Sequence, residues 1–240
     1  MKKNKLSSHT ILEVLNNKHQ WTRLGKARKR QKCLCENHEL DNRFIIKQFS
    51  FDNKHRPKIN WWQLEDNALS LLSGELGCPK SYGFIEENHE HKRCVYLVRE
   101  KIIGKTLKEI GQKVLTEKQS AETGVLLAQL HNRNIVTRDC HLENLLLTEK
   151  NTLSFIDFGK ARHYKRQSTL FYFQAGWDCW KSMWRCNKLD KNLCSLMMDS
   201  YWQTLNTTTY SKFMYKAMQK ISSTHQRLRL LKQKTFKKNR

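Results

Sequence analysis

Thr137-Arg138-Asp139-Cys140-His141-Leu142-Glu143-Asn144, followed after one short hairpin by Ile156-Asp157-Phe158-Gly159, is the stretch that decides the reading of this chain. An Asp and an Asn five residues apart on a loop, with another Asp thirteen residues on at the end of a strand, can converge on one bound metal. Mg2+ takes hard oxygen ligands and keeps part of its octahedron for nucleotide phosphates, so the Asn144 amide oxygen and the Asp157 carboxylate suffice from the protein. Asp139 is left over to orient an attacking hydroxyl and take its proton. That residue pattern points to phosphoryl transfer.

The flanking sequence predicts the scaffold. Asn144-Leu145-Leu146-Leu147 and Leu153-Ser154-Phe155-Ile156 read as two short apolar strands. Ahead of them Thr116 and Gln119 form a capping box, and Val125, Leu126, Leu127, Ala128 and Leu130 give the following helix an apolar face that ends near His131. Further upstream, Ser81-Tyr82-Gly83-Phe84-Ile85 and Cys94-Val95-Tyr96-Leu97-Val98 predict a β-hairpin. Leu64, Ala68, Leu71 and Leu72 recur at three- and four-residue spacing and predict a helix over residues 60–75. Residues 11 to about 50 alternate apolar and polar positions and read as hairpin-rich β structure, ending in the buried strand Arg43-Phe44-Ile45-Ile46-Lys47-Gln48-Phe49. Beyond Gly159 the periodicity is helical to the end.

Arg138-Asp139 through Asn144 fits R-D-x-x-x-x-N, and Asp157-Phe158-Gly159 is D-F-G in full. With both motifs at this spacing, the sequence resembles the protein-kinase-like superfamily over roughly residues 20–165. The resemblance implies ATP and Mg2+ as cofactors, with Asp139 as the catalytic residue and Asn144 and Asp157 as metal ligands. It makes Lys47 the lysine that contacts the ATP phosphates and Glu65 its ion-pair partner, Asp66 being the competing choice. Lys26 falls in the nucleotide loop Leu24-Gly25-Lys26-Ala27-Arg28-Lys29-Arg30, which has one Gly where three are usual, so Lys and Arg side chains are expected to do part of the phosphate binding.

Two further departures carry information. Thr137 stands where a His is usual, which gives up a packing and hydrogen-bonding element. His141 stands where protein Ser/Thr kinases carry Lys, two residues after the catalytic Asp, and is a candidate contact to the transferred phosphoryl group when protonated. The A-P-E motif that anchors a peptide platform is absent, since no proline follows Pro79 and only 81 residues follow Gly159. A small-molecule, sugar or atypical kinase is therefore expected over a regulated protein kinase.

Charge narrows the acceptor. The 240 residues carry 45 Lys+Arg against 22 Asp+Glu, a formal net charge of +23. Residues 160–240 hold 18 of those cations and three acids (Asp178, Asp190, Asp199), so a surplus of 15 lies after the catalytic motifs. An anionic substrate, or an anionic surface bearing it, is the expected partner. Arg227, Arg229, Lys232, Lys234, Lys237, Lys238 and Arg240 follow the stripe Phe213, Met214, Ala217, Met218 and Ile221, a pattern that can lie on anionic lipid. Trp177, Trp180 and Trp184 share one helix face, as a core stripe or as a membrane-interface belt. No aromatic signature interleaves the basic cluster of Arg23, Lys26, Arg28, Lys29, Arg30 and Lys32, so nucleic acid is not an expected partner.

Other classes fall away. Mean hydropathy is −0.76 and no apolar run approaches the roughly 20 residues a bilayer span needs. Met1-Lys2-Lys3-Asn4-Lys5 is followed by polar Ser7, Ser8, His9 and Thr10 where a signal peptide would turn apolar, so secretion is not expected and the cytoplasm is the default compartment. Eight cysteines without a CxxC pair read as free thiols.

The combined expectation is an α+β, two-lobe protein-kinase-like fold. Residues 1–99 would form a β-rich, nucleotide-binding N-lobe and residues 100–240 a short, mainly helical C-lobe. The chain is similar to the bacterial lipopolysaccharide core kinases, which implies phosphorylation of a heptose or Kdo hydroxyl on an anionic glycolipid, at the inner face of the inner membrane. Two readings stand beside it: an atypical, RIO-like Ser/Thr protein kinase, and a pseudokinase or basic module binding RNA or membrane.

Overall fold

A computed structural model of the protein describes residues 5–30, 33–54, 57–72 and 74–206, with positions 216, 217, 220 and 224 beyond them. The stripe from Phe213 to Ile221, Ala217 apart, and the basic run of residues 227–240 lie outside the described residues. The chain is a mixed α and β protein, strand-rich toward its N-terminus and helical toward its C-terminus. It divides into two compact units, Met1–Ile103 with Phe155–Lys160, and Gly104–Ser154 with Ala161–Arg240.

The first unit is built on five antiparallel strands, β1 (Thr22–Arg30), β2 (Cys33–Leu40), β3 (Phe44–Asp52), β4 (Ser81–Asn88) and β5 (Lys92–Glu100), in spatial order β1-β2-β3-β5-β4. Alternation sends the two sides of β3 to two different cores. Phe44 and Ile46 pack with Leu40, Tyr96 and Val98 against Ile11, Val14 and Leu15 of α1 (Lys5–Asn16). Phe49 and Phe51 pack with Val95 and Leu97 against Trp61 and Trp62 of α2 (Trp61–Leu72), and the Trp62 ring stacks on Phe51 at 5.7 Å.

The expectation of β structure from residue 11 is therefore overturned for residues 11–16. The doublets Ile11-Leu12 and Val14-Leu15 imitate strand spacing over a short window, yet Ile11, Val14 and Leu15 are buried while Leu12 is 53% exposed, which is a helix face. Each fully buried aliphatic of this kind contributes about 1.5–3 kcal/mol. The expected helix over 60–75 and the expected hairpin are present as α2 and as β4 with β5, paired antiparallel.

In the second unit, Phe155 at the end of β9 excepted, a three-stranded sheet of β6 (Gly104–Thr106), β8 (Leu145–Thr148) and β9 (Leu153–Phe155) lies in the order β6-β8-β9, and β7 (Ile135–Val136) pairs with β10 (Arg162–His163). The expected capping box starts α3 (Glu117–Asn132), with Thr116 accepting from the Gln119 amide and the Gln119 side chain from that of Thr116. Two more helices follow, α4 (Thr169–Arg185) and α5 (Lys191–Thr204). Gly124 on α3 permits a close approach of α5, because a Cβ there would collide with the Met197 carbonyl oxygen. Trp180 of α4 is buried and stacks on Trp184 at 5.4 Å, while Trp177 and Trp184 are half-buried, so the tryptophan face is mainly packing. All eight cysteines are free thiols. Among the described residues no helix is long and apolar enough to cross a membrane.

Candidate active site

In the first unit an ammonium is held between two carboxylates. Lys47, on the middle strand β3 opposite Leu97 of β5, is 6% exposed. Its Nζ lies 2.7 Å from Glu65 Oε2 and 3.0 Å from Asp157 Oδ1. Glu65 is fully buried on α2, and the alternative, Asp66, accepts instead from the Ser81 and Ser70 hydroxyls. Asp157 belongs to the segment Phe155–Lys160, which clusters with this unit although it follows β9 in sequence. Its Oδ1 also accepts from the Gly159 backbone amide at 3.0 Å. Burial alone would raise the Asp157 pKa, but the Lys47 charge, the Gly159 amide and the Arg99 charge outweigh it and hold the carboxyl well below the usual carboxylate range. The group is therefore ionised and offers hard oxygen to a cation.

Arg99 is a member of this cluster that the sequence reading missed. It follows the run Val95-Tyr96-Leu97-Val98 near the end of β5, is 7% exposed, and sends its guanidinium to within 3.6 Å of Glu65 Oε1 and into a hydrogen bond with the Ile156 carbonyl. It thus joins α2 to the backbone immediately before Asp157. The one sequence signal was an arginine standing where the apolar alternation called for another buried residue.

Lys26 is exposed on β1, where the pairing with β2 slips between Leu24 and Arg28 and Gly25 adopts φ 69°. A side chain at Gly25 would meet nothing within 4 Å, so the requirement there is for left-handed backbone, not for room.

The second unit carries the loop of Asp139. Arg138 has φ 61°, a left-handed conformation costing a non-glycine residue about 1–2 kcal/mol, and the buried Asp178 of α4 holds it there. Asp178 Oδ1 accepts from the Arg138 amide at 2.6 Å, while Oδ2 accepts from the Thr137 amide at 2.6 Å and the Thr137 hydroxyl at 3.0 Å. The Thr137 hydroxyl in turn accepts from the Asp139 amide at 3.4 Å, so Thr137 keeps a hydrogen-bonding role where the sequence suggested one was given up. Asp178 was counted in the sequence only as one of three acids in a basic region. Its position between Trp177 and Cys179, on an otherwise apolar helix face, was the available signal.

Asn144 is 7% exposed, and its Nδ2 donates to the Asp139 carbonyl at 2.9 Å, which leaves Oδ1 as the atom suited to a cation. His141 Nε2 lies 3.6 Å from Asp139 Oδ2. Lys181 and Arg185 of α4 reach the other carboxylate oxygen of Asp139, at 3.5 and 3.7 Å. Among the described residues no group of three His, Cys, Asp or Glu side chains could hold a metal, so zinc-type chemistry has no donor set here.

The lipopolysaccharide kinase (Kdo/WaaP) family matches residues 70–169, which contain Asp139, His141, Asn144 and Asp157 but neither Lys47 nor Glu65. Protein kinase kin1 of Schizosaccharomyces pombe is 34% identical over 117 residues, covering 46% of this chain and 13% of that protein. The chain thus resembles the protein-kinase-like enzymes and, over residues 70–169, the lipopolysaccharide kinase (Kdo/WaaP) family among them.

Proposed function

We propose that this chain is an ATP-dependent kinase of two-lobe, protein-kinase-like fold that phosphorylates a sugar hydroxyl, heptose or Kdo, of the lipopolysaccharide core. The buried Lys47 ammonium, 2.7 Å from Glu65 and 3.0 Å from Asp157, is the observation that carries the kinase reading. A cation so placed has no packing purpose. Its burial is tolerated because two carboxylates compensate it, and it is set to meet phosphate oxygens.

In the proposed reaction Lys47, kept in place by Glu65, binds phosphate oxygens of ATP, with exposed Lys26 contributing from β1. Asp157 and Asn144 would hold Mg2+, which neutralises charge on the phosphates when bound. Asp139 orients the acceptor hydroxyl and takes its proton as the new O–P bond forms and the bond to ADP breaks. His141, 3.6 Å from Asp139, would contact the phosphoryl group when protonated. The acceptor assignment is supported by the match to lipopolysaccharide kinases and by the surplus of 15 positive charges after residue 159. Those charges suit a peripheral position on an anionic bilayer face, the inner face of the inner membrane.

The test is mass analysis of the lipopolysaccharide core from cells with the chain, without it, and with Asp139→Ala. Loss of one core phosphate in the last two is expected, with purified Asp139→Ala turning over about 10²–10⁴-fold more slowly. Unchanged core phosphate would end the sugar reading. The likeness to protein kinase kin1 favours a second reading, an atypical protein kinase without the A-P-E platform. Label from ATP found on protein side chains and not on glycolipid would decide for that one. Absence of Mg·ATP binding together with tight, salt-dependent RNA binding would instead mark a pseudokinase.

A further inference from the structure

Asn37 of β2 stands directly opposite Lys47 of β3, and opposite Leu24 of β1 on its other side. With Leu97 of β5 opposite Lys47, these four residues make one row across the sheet of the first unit. Side chains of a cross-strand row share one face, and directly opposite Cβ atoms stand about 4.5–5.5 Å apart. Lys47 identifies the face, since its ammonium meets Glu65 of α2. The next residue, His38, turns the other way and packs on Trp21, whose indole donates to the Val14 carbonyl of α1. The Asn37 amide therefore lies beside the Lys47 ammonium, one strand nearer the β1 edge of the sheet.

That amide is incomplete. Asn37 Oδ1 is shut off from solvent, and among the described residues no donor reaches it. A buried acceptor left open costs more than a satisfied one contributes, so such atoms are rare and call for a partner. Leu24 and Leu97 make the rest of the row apolar, and the Lys47 ammonium already serves Glu65 and Asp157. What Oδ1 lacks is a donor. Ionised phosphate groups only accept hydrogen bonds, so the phosphates that Lys47 would hold cannot supply one. The donors of an adenine nucleotide lie in its nucleoside part, on the ribose hydroxyls and the amino group of the base.

Resting on the kinase reading above, we propose that Asn37 Oδ1 accepts a hydrogen bond from the nucleoside part of the bound nucleotide, a ribose hydroxyl or the base amino group, and so is a specificity-determining residue for the phosphoryl donor. Lys47 takes the phosphates, and Asn37, one strand outward, reads the nucleoside. A nucleotide without the matching donor leaves the acceptor open again, and in an apolar row that loss is felt in full.

The test measures binding to the full chain in the presence of Mg2+, by calorimetry, for ATP, 2′-deoxy-ATP, 3′-deoxy-ATP and the triphosphate of purine riboside, which lacks the amino group. One analogue is expected to bind the unaltered chain about tenfold or more weakly than ATP, and its identity names the donor. In Asn37→Leu the affinity for ATP is expected to fall to that of this analogue, so that the preference disappears. Because Leu removes an open acceptor, the urea midpoint of the variant is expected at or above that of the unaltered chain, which separates lost recognition from a damaged fold. A variant that fails to fold, or a midpoint clearly lower, means that the amide had a partner within the chain and overturns the inference. Analogues that all bind as ATP does, or a preference that survives in Asn37→Leu, overturn it too and leave the kinase reading standing. No binding of Mg·ATP by the unaltered chain ends both.

Discussion

Arg99 and Glu65 meet at 3.6 Å, with the guanidinium facing Oε1 of a carboxylate whose Oε2 is already held by Lys47 at 2.7 Å. Both cations are almost wholly buried, so the stability of the first unit depends on the charge of Glu65. Glu65→Gln preserves shape and removes that charge, which strands buried cations. Equilibrium urea unfolding is expected to show a loss of about 3–5 kcal/mol. A variant within 1 kcal/mol of the unaltered chain would mean that Asp157 alone compensates both.

Asp157 makes stability depend on pH in one direction. Its pKa is lowered in the folded state, burial being outweighed by Lys47, the Gly159 amide and Arg99, whereas in the unfolded chain it returns to about 3.9. The unfolded state then binds the proton first, so the stabilisation is complete above that value and is lost as pH falls below it toward the folded pKa. Urea midpoints of the unaltered chain and of Asp157→Asn, measured from pH 7 down to pH 3, are expected to differ by a constant amount until about pH 4 and to converge below it. With the side chain one-third exposed, solvent screening keeps this contribution modest. A gap that widened on acidification would contradict the assignment.

Asp178 and the Arg138 backbone give a third test. Removing the carboxylate in Asp178→Ala leaves the Thr137 and Arg138 amides and the Thr137 hydroxyl without their acceptor and frees the left-handed Arg138 to relax. Hydrogen bonds to a charged group are worth about 1.5–3 kcal/mol each, so a loss of at least about 3 kcal/mol is expected. Amide exchange at residues 137 and 138 should accelerate more than elsewhere in the second unit. Asp178→Asn should fall between, since its amide keeps one acceptor and turns a donor toward the other site.

What was legible in the sequence was whatever local spacing encodes. The capping box at Thr116, the hairpin around residues 88–92 and the D-x-x-x-x-N and D-F-G motifs each declare themselves within a few residues. The choice of Glu65 over Asp66 required the α2 face and the β3 register together. Arg99, Asp178, Lys181 and Arg185 do their work through partners 34 to 57 residues distant along the chain, and composition registers them merely as charge. Helix α1 was misread because two apolar doublets fit either period over so short a window.

The helix laid over β3, with α2 on the other side, leaves most of the strand bearing Lys47 buried, Ile45 and Gln48 being half-buried and Asp52 exposed, and β2 and β5 take both its edges. Strand β1 is the opposite case: it ends the sheet, and Thr22 to Lys26 are exposed. The same sheet therefore spans a gradient of local opening, from amides on β3 that exchange only when the unit unfolds to amides on β1 that exchange by fraying. Hydrogen exchange should therefore set the two basic strands apart, with Lys47 on the slow one and Lys26 on the fast one.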